Sequence, residues 1–141
     1  MKKTKKRPQT IKCPYCNSVA ILTPATDIYG PDTKEKWLYV CSHYPACNSY
    51  VGVHKGTTRP LGTLANGDLR NKRIQAHKMF DLIWRNNVMN RRSAYKWMSD
   101  KLCMPYEYAH IGLFSEYMCD QLIDACKDAL SNNHIPYTHV S

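Results

Sequence analysis

Two stretches decide how this chain folds: IKCPYCNS, residues 11–18, and YVCSHYPACNSYVGVH, residues 39–54. Each carries a close pair of cysteines, Cys13 with Cys16 and Cys41 with Cys47. A zinc ion takes four thiolates at tetrahedral angles, and a two-residue spacer lets one tight turn aim two sulfurs at a single point. Pro14 suits that turn. The five-residue spacer of the second pair needs a wider knuckle, which Tyr44 and Pro45 stiffen. The 24 residues between the pairs, 17–40, are long enough for two strands and a loop. SVAILT (18–23) and KWLYVC (36–41) read as those strands, with YGPD (29–32) as turn chemistry between them.

Disulfides and free core thiols are the competing readings of the same cysteines. The odd count of seven, no recognisable secretory leader and no apolar run long enough to span a bilayer point to a reducing cytoplasm, and so to zinc. His43 and His54 stand as alternative ligands beside the four cysteines.

CPYC followed by CSHYPAC resembles the zinc ribbon repeated at the C-terminus of bacterial type IA DNA topoisomerases, over about the first third of the chain. The resemblance implies a small module that binds single-stranded DNA through stacked aromatics. It does not extend to the catalytic domains of those enzymes.

A chain of 141 residues with 43% hydrophobic content holds one domain, or a small domain and a subdomain, with a modest core. We expect an α+β protein: a basic tail over 1–10, a small antiparallel zinc ribbon over 11–56, and a three-helix part over 57–141 on which the ribbon packs. Structural zinc in finger peptides contributes on the order of 10 kcal/mol or more near neutral pH, so metal ligation is expected to supply much of the ribbon's order. The net charge of +9 is unevenly placed. Residues 1–101 hold 19 Lys and Arg against six acids, and residues 102–141 hold Lys127 against five, giving +13 and −4. The opening Lys2, Lys3, Lys5, Lys6 and Arg7 read as a phosphate-binding arm or a solubilising tail.

GTTRPLGTLANGDL, residues 56–69, reads as a connector ending in a helix start capped by Asn66 or Asp68. Leu69, Ala76, Phe80, Ile83 and Trp84 then keep helical spacing to about Arg85, with Arg70, Lys72, Arg73 and Lys78 at other angles. A second helix fits Arg91–Leu102, capped by Asn90, burying Ala94, Trp97, Met98 and Leu102 and stopped by Pro105. A third fits Ser115–Leu130, with Cys119, Leu122, Ile123, Cys126 and Leu130 along one face. There Cys119 and Cys126 read as small core hydrophobes, and Cys103 as core too. A second metal site from these thiols and His110 is the competing arrangement.

PLGTLAN, the Leu69–Arg70 and Ala76–His77 pairs, AYKW and HIG resemble the recurring elements of a family of small zinc-finger-containing proteins of unassigned function, common in phages and prophages of Firmicutes. The match runs from about Cys13 to Cys126 and implies a phage-type gene product. His77, Asp81, Glu107 and His110 are the conceivable catalytic groups, but no nucleophile elbow, phosphate loop or open three-ligand pattern accompanies them. His77 is expected to face the core, and the protein is expected not to be an enzyme.

Two binding roles remain, neither involving a membrane or a small-molecule substrate. In the first, Lys12, Tyr15, Lys34, Lys36, Tyr44 and Lys55 contact nucleic acid, bases stacking on tyrosines while lysines neutralise phosphates. Of the ribbon aromatics, which also include Trp37, Tyr39 and Tyr50, Tyr15 and Tyr44 are favoured as exposed. In the second, the protein is a stoichiometric inhibitor of a host nucleic-acid-handling complex, such as an RNA-guided CRISPR nuclease. Its feature is Glu116, Asp120, Asp124 and Asp128, spaced every four residues on the third helix. Like charges there repel unless Arg91, Arg92 and Lys96, or a basic partner, face them.

Overall fold

The strand Trp37–Cys41 organises the first unit, because both of its faces are covered. Leu38, Tyr39, Val40 and Cys41 are all buried, and only Trp37 reaches solvent. The computed structural model describes residues 10–137; the basic cluster at 2–7 lies outside them. Strand β1 (Ala20–Pro24) and strand β3 (Tyr50–Gly52) flank the central β2 (Trp37–Cys41) in the order β1-β2-β3. Both pairings are antiparallel, Ala20 opposite Cys41 and Val40 opposite Tyr50. The two expected strands are thus present. Their connection holds a single helical turn, α1 (Thr26–Tyr29), before the Gly30–Pro31 turn.

Residues opposite one another on antiparallel strands share a face. Ala20, Tyr39, Cys41, Val51 and Val53 therefore gather on one side, where Cys13 and Leu64 join them. Leu38 and Val40 pack on the other side against Ala25, with Ile28 and Tyr50.

The Gly/Thr/Pro-rich segment after β3 is more than a connector. Tyr50 and Ala65 exchange both backbone hydrogen bonds, at 3.1 and 3.0 Å, and Leu61 N–H donates to the Gly52 carbonyl at 2.9 Å. The Tyr39 hydroxyl donates to the Thr58 carbonyl at 2.7 Å, and Leu64 is fully buried. Gly52 admits this close return, since a Cβ there would stand 3.3 Å from Leu61 Cδ1. The chain accordingly divides at Gly67, and residues 57–67, expected with the helices, belong to the first unit.

The second unit, residues 68–141, is built on three helices: α2 (Gly67–Arg85), α3 (Arg91–Lys101) and α4 (Glu116–Asn132), with two short 3-10 turns at Tyr106–Tyr108 and Ile111–Leu113. Asn90 caps α3 by accepting from Ser93 N–H at 2.8 Å, and Ser115 caps α4 by accepting from Met118 N–H at 3.3 Å. Phe80 meets Tyr95 edge-on with centroids 5.0 Å apart, tying α2 to α3. Leu69, Ala76, Phe80 and Ile83 are buried as expected, while Trp84, Trp97, Leu102 and Ile123 are only partly so.

Several side chains depart from the sequence reading. Arg73, expected at the surface, is buried, and its Nε donates to the Phe114 carbonyl at 3.1 Å. His77 is exposed instead of facing the core. Arg91 lies over Trp84 and Tyr95, 5.4 and 5.9 Å from the ring centroids, and pairs with no acid of α4. The internal partner of the acidic stripe is Lys72, whose Nζ reaches Asp120 at 2.5 Å.

Helix α3 stops before Pro105. Cys103 adopts φ 53°, its N–H donates to the Asp100 carbonyl, and Met104 N–H donates to that of Ser99. That pattern closes a helix through one left-handed residue, and it leaves Cys103 exposed, not in the core. The same closure recurs at Asn87 and at His134.

Cys119 and Cys126 are fully buried on α4 as expected. Burial pushes their thiols up to about 11 and about 12, and only the thiolate is nucleophilic. Cys103 is therefore expected to react within the mixing phase when folded protein meets a disulfide-exchange reagent at mildly alkaline pH. Cys119 and Cys126 should react only on unfolding, and rapid labelling of either would contradict their placement.

Candidate metal centre

Two chain reversals bring the cysteine pairs together. In the first, Asn17 sits at φ 63°, its N–H donates to the Cys13 carbonyl at 2.8 Å, and Cys13 N–H donates to the Ser18 carbonyl at 2.7 Å. In the second, Tyr44 N–H donates to the Cys41 carbonyl and Cys47 N–H to that of His43. The Lys12–Val19 bridge and the β1–β2 register hold the two turns at the same end of the sheet.

The four sulfurs converge. All lie within 4.8 Å of one another, with Cys13 to Cys47 at 3.6 Å and Cys16 to Cys41 at 3.4 Å. A tetrahedron of sulfurs about zinc has edges near 3.8 Å for a bond of about 2.3 Å, so the set fits that ion closely. Cys13 and Cys41 are buried, Cys47 is half-buried and Cys16 is exposed. Hydrogen bonds from Ser18, side chain then backbone, push the Cys16 thiol down to about 6, while burial pushes Cys41 up to about 12. Four adjacent thiols cannot all ionise beside one another unless a cation offsets their charge.

Neither histidine belongs to the cluster. His43 is exposed, its Nδ1 3.4 Å from the Ser18 hydroxyl, and contributes through its backbone N–H, which donates to Cys41 Sγ at 3.4 Å. His54 is exposed, and its N–H donates to the Arg59 carbonyl. Ser49, which the sequence reading passed over, is fully buried with its hydroxyl 3.1 Å from Cys13 Sγ and 3.7 Å from Cys47 Sγ. Its one sequence signal is a small hydroxyl residue two places after a ligand cysteine. Among the described residues no other set of three or more His, Cys, Asp or Glu converges in this way. Cys103, Cys119, Cys126 and His110 thus form no second site. Asp81 accepts from Trp84 Nε1 at 3.3 Å and lies 3.8 Å from Arg85. Partial desolvation of the ring lowers the pKa of His77, against the pull of Asp81 and with the push of Arg91.

The residues named for nucleic acid surround the cluster's end of the sheet only in part. Tyr15 and Tyr44 stand on the two knuckles, 46% and 36% exposed, and the Tyr15 hydroxyl accepts from Asn66 N–H at 3.1 Å. Tyr39 is buried, whereas Trp37, at 36%, is as open as Tyr44. Lys12, Lys34, Lys36 and Lys55 are all exposed. Lys34 and Lys36 precede β2, at the end of the sheet away from Cys41.

Purified protein is expected to carry one zinc per chain by elemental analysis. Cys13→Ser or Cys47→Ser should lose it and render residues 10–67 protease-sensitive, while Cys103→Ser keeps it. Ser49→Ala should retain the metal but lose roughly 10- to 100-fold in affinity in a chelator competition. Full occupancy in a Cys13→Ser, Cys47→Ser double variant would show that the cluster is not the site.

No curated protein and no solved structure matches the chain. A family model does, described as a zinc-finger-containing domain, and it covers residues 9–129. That span takes in both knuckles, the sheet and most of α4, so the chain belongs to this family of zinc-finger-containing domains, DUF3268.

Proposed function

We propose that the four cysteines hold one structural zinc and that the protein is a non-enzymatic binder of unpaired nucleic acid, with single-stranded or structured DNA as its target. The observation that carries this reading is the exposure of Tyr15 and Tyr44 on the two turns fixed by the metal cluster. Exposed rings on rigid turns cost little entropy to hold in place, and bases stack on them without sequence preference. Lys12, Lys34, Lys36 and Lys55 supply cations around the same unit. The likeness of the CPYC and CSHYPAC knuckles to topoisomerase ribbons supports the same target. The resemblance to phage proteins supports a place of action in a bacterial cytoplasm, and among the described residues no helix is long and apolar enough to cross a membrane.

A second reading rests on α4. Glu116, Asp124 and Asp128 are exposed, and among the described residues only Asp120 of the stripe is held by a lysine. Three open carboxylates on one helix favour a cationic partner surface, as on the DNA-binding groove of an RNA-guided CRISPR nuclease that the protein would block.

Fluorescence anisotropy with labelled single strands, repeated across salt concentrations, separates the two. Direct binding predicts that affinity falls steeply with salt, and that each lysine removed by Lys12→Glu, Lys34→Glu or Lys36→Glu lowers the log–log slope by about 0.7 if it neutralises one phosphate. Tyr44→Ala should weaken binding by about 1–3 kcal/mol with the slope unchanged. If a protein is the target, these changes matter little, and Asp124→Lys with Asp128→Lys removes activity. Asp120 is left intact because a lysine there would face Lys72. Zinc content of each variant controls for folding.

A further inference from the structure

The face of the sheet opposite the thiols carries a row of rings. Tyr50 meets Tyr29 edge-on at 5.8 Å between centroids and Tyr44 at 6.2 Å, so the half-buried Tyr50 stands between two exposed tyrosines. Tyr29 is 49% exposed. Register defines what shares this face. Ile21 lies opposite Val40, which lies opposite Tyr50. Val19 alternates with Ile21 and pairs with Lys12, so all five point to the same side. Val19 and Ile21 are both exposed.

We infer that this face is the track on which an unpaired strand lies, with bases stacking on Tyr29 and Tyr44 and on the apolar floor of Val19 and Ile21. The inference rests on the single-strand reading above and names its site. The uncovered part of the face is apolar, and its rings are braced by edge contacts, which hold them in place before binding. Unpaired bases offer the matching apolar planes, whereas in a duplex those planes are covered by neighbouring base pairs.

Charge sets where the backbone runs. No acid occurs between residues 10 and 26, while Asp27, Asp32 and Glu35 fall in and after α1, interleaved with Lys34 and Lys36. Phosphates are therefore favoured beside Lys12 at the knuckle end and beside Lys34 and Lys36 at the other. Tyr29, which the sequence reading left in a turn, becomes a stacking residue far along the chain from either knuckle.

The test uses the zinc-loaded full chain and a labelled oligothymidylate, with a duplex of equal length as the comparison. Tyr29→Leu keeps an apolar cover but removes the ring. It should weaken single-strand binding about 5- to 150-fold, as the loss of one base stack does, without changing the salt slope, and Tyr29→Phe should restore binding. Ile21→Glu alters an exposed position outside α1 and places a carboxylate on the floor of the track. It should weaken the single strand more than the duplex, and it serves equally should Tyr29→Leu disturb the turn. If both variants bind as wild type while Tyr15→Leu loses affinity, the single-strand reading stands and this face is not its site. If the wild-type protein binds no oligothymidylate, the reading itself fails.

Discussion

Four sulfurs within 4.8 Å of one another are the constraint on which the first unit depends. Thiols packed so closely either share protons or hold a cation, and a dication does so while fixing four points of the chain. Those points lie two apiece in reversals separated by a strand, a turn and a second strand. Fixing them sets the β1–β2 register, and the register decides which residues bury. Tyr39, Cys41 and Val51 fall on the metal side and Leu38 and Val40 on the other. A unit of this size buries too little apolar surface to order itself unaided, and a zinc ion held by these sulfurs would contribute on the order of 10 kcal/mol or more, comparable with the whole stability of a small domain. Ser49 and the His43 amide direct hydrogen bonds at the sulfurs and spread their charge.

The helical unit solves a different problem, that of placing charged side chains around a core that includes Phe80, Ile83, Phe114 and Leu122. It does so by putting cations to structural use. Arg73 is buried and satisfies the Phe114 carbonyl, which would otherwise cost about 1–3 kcal/mol as an unpaired buried acceptor. Arg91 lies across two rings, and Lys72 reaches the middle of the acidic helix. Helices α2, α3 and α4 all end through a left-handed residue that is not glycine, namely Asn87, Cys103 and His134. Asparagine and histidine tolerate that geometry better than most residues, but for cysteine it costs about 1–2 kcal/mol. The packing that follows that turn must offset it.

The metal centre was legible because ligand chemistry demands particular residues at particular spacings, and four cysteines in two turns leave few alternatives. The helices were legible from their apolar period and their caps, Asn90 and Ser115. What escaped the sequence was set by contacts between segments distant in the chain. Residues 57–67 look like a linker because Gly, Thr and Pro dominate them, yet Ala65 pairs with Tyr50 and Leu64 fills the core beside the thiols. Arg73 carries a charge and so reads as exposed, and only the position of Phe114 makes its burial favourable. Cys103 adjoins Met104 and reads as core, whereas the helix closure turns it outward. His77 erred in the same direction as Cys103, since neighbouring Ala76 and Met79 are buried and it is not.

The two faces of the small sheet divide the work between them. One is consumed by the metal cluster and the returning segment, which between them bury its residues. The other needs cover only over Leu38 and Val40, and α1 with Tyr50 supplies it. A structural requirement for rings would end there, with Tyr50 alone. Tyr29 and Tyr44 extend the row into solvent on both sides, and Val19 and Ile21 continue an apolar surface that no described segment is shown covering. Exposed apolar surface of this kind on a basic protein gains nothing for solubility and is a liability for association. Its presence argues for a partner that brings both flat apolar groups and negative charge, and an unpaired nucleic-acid strand carries the two together at every residue.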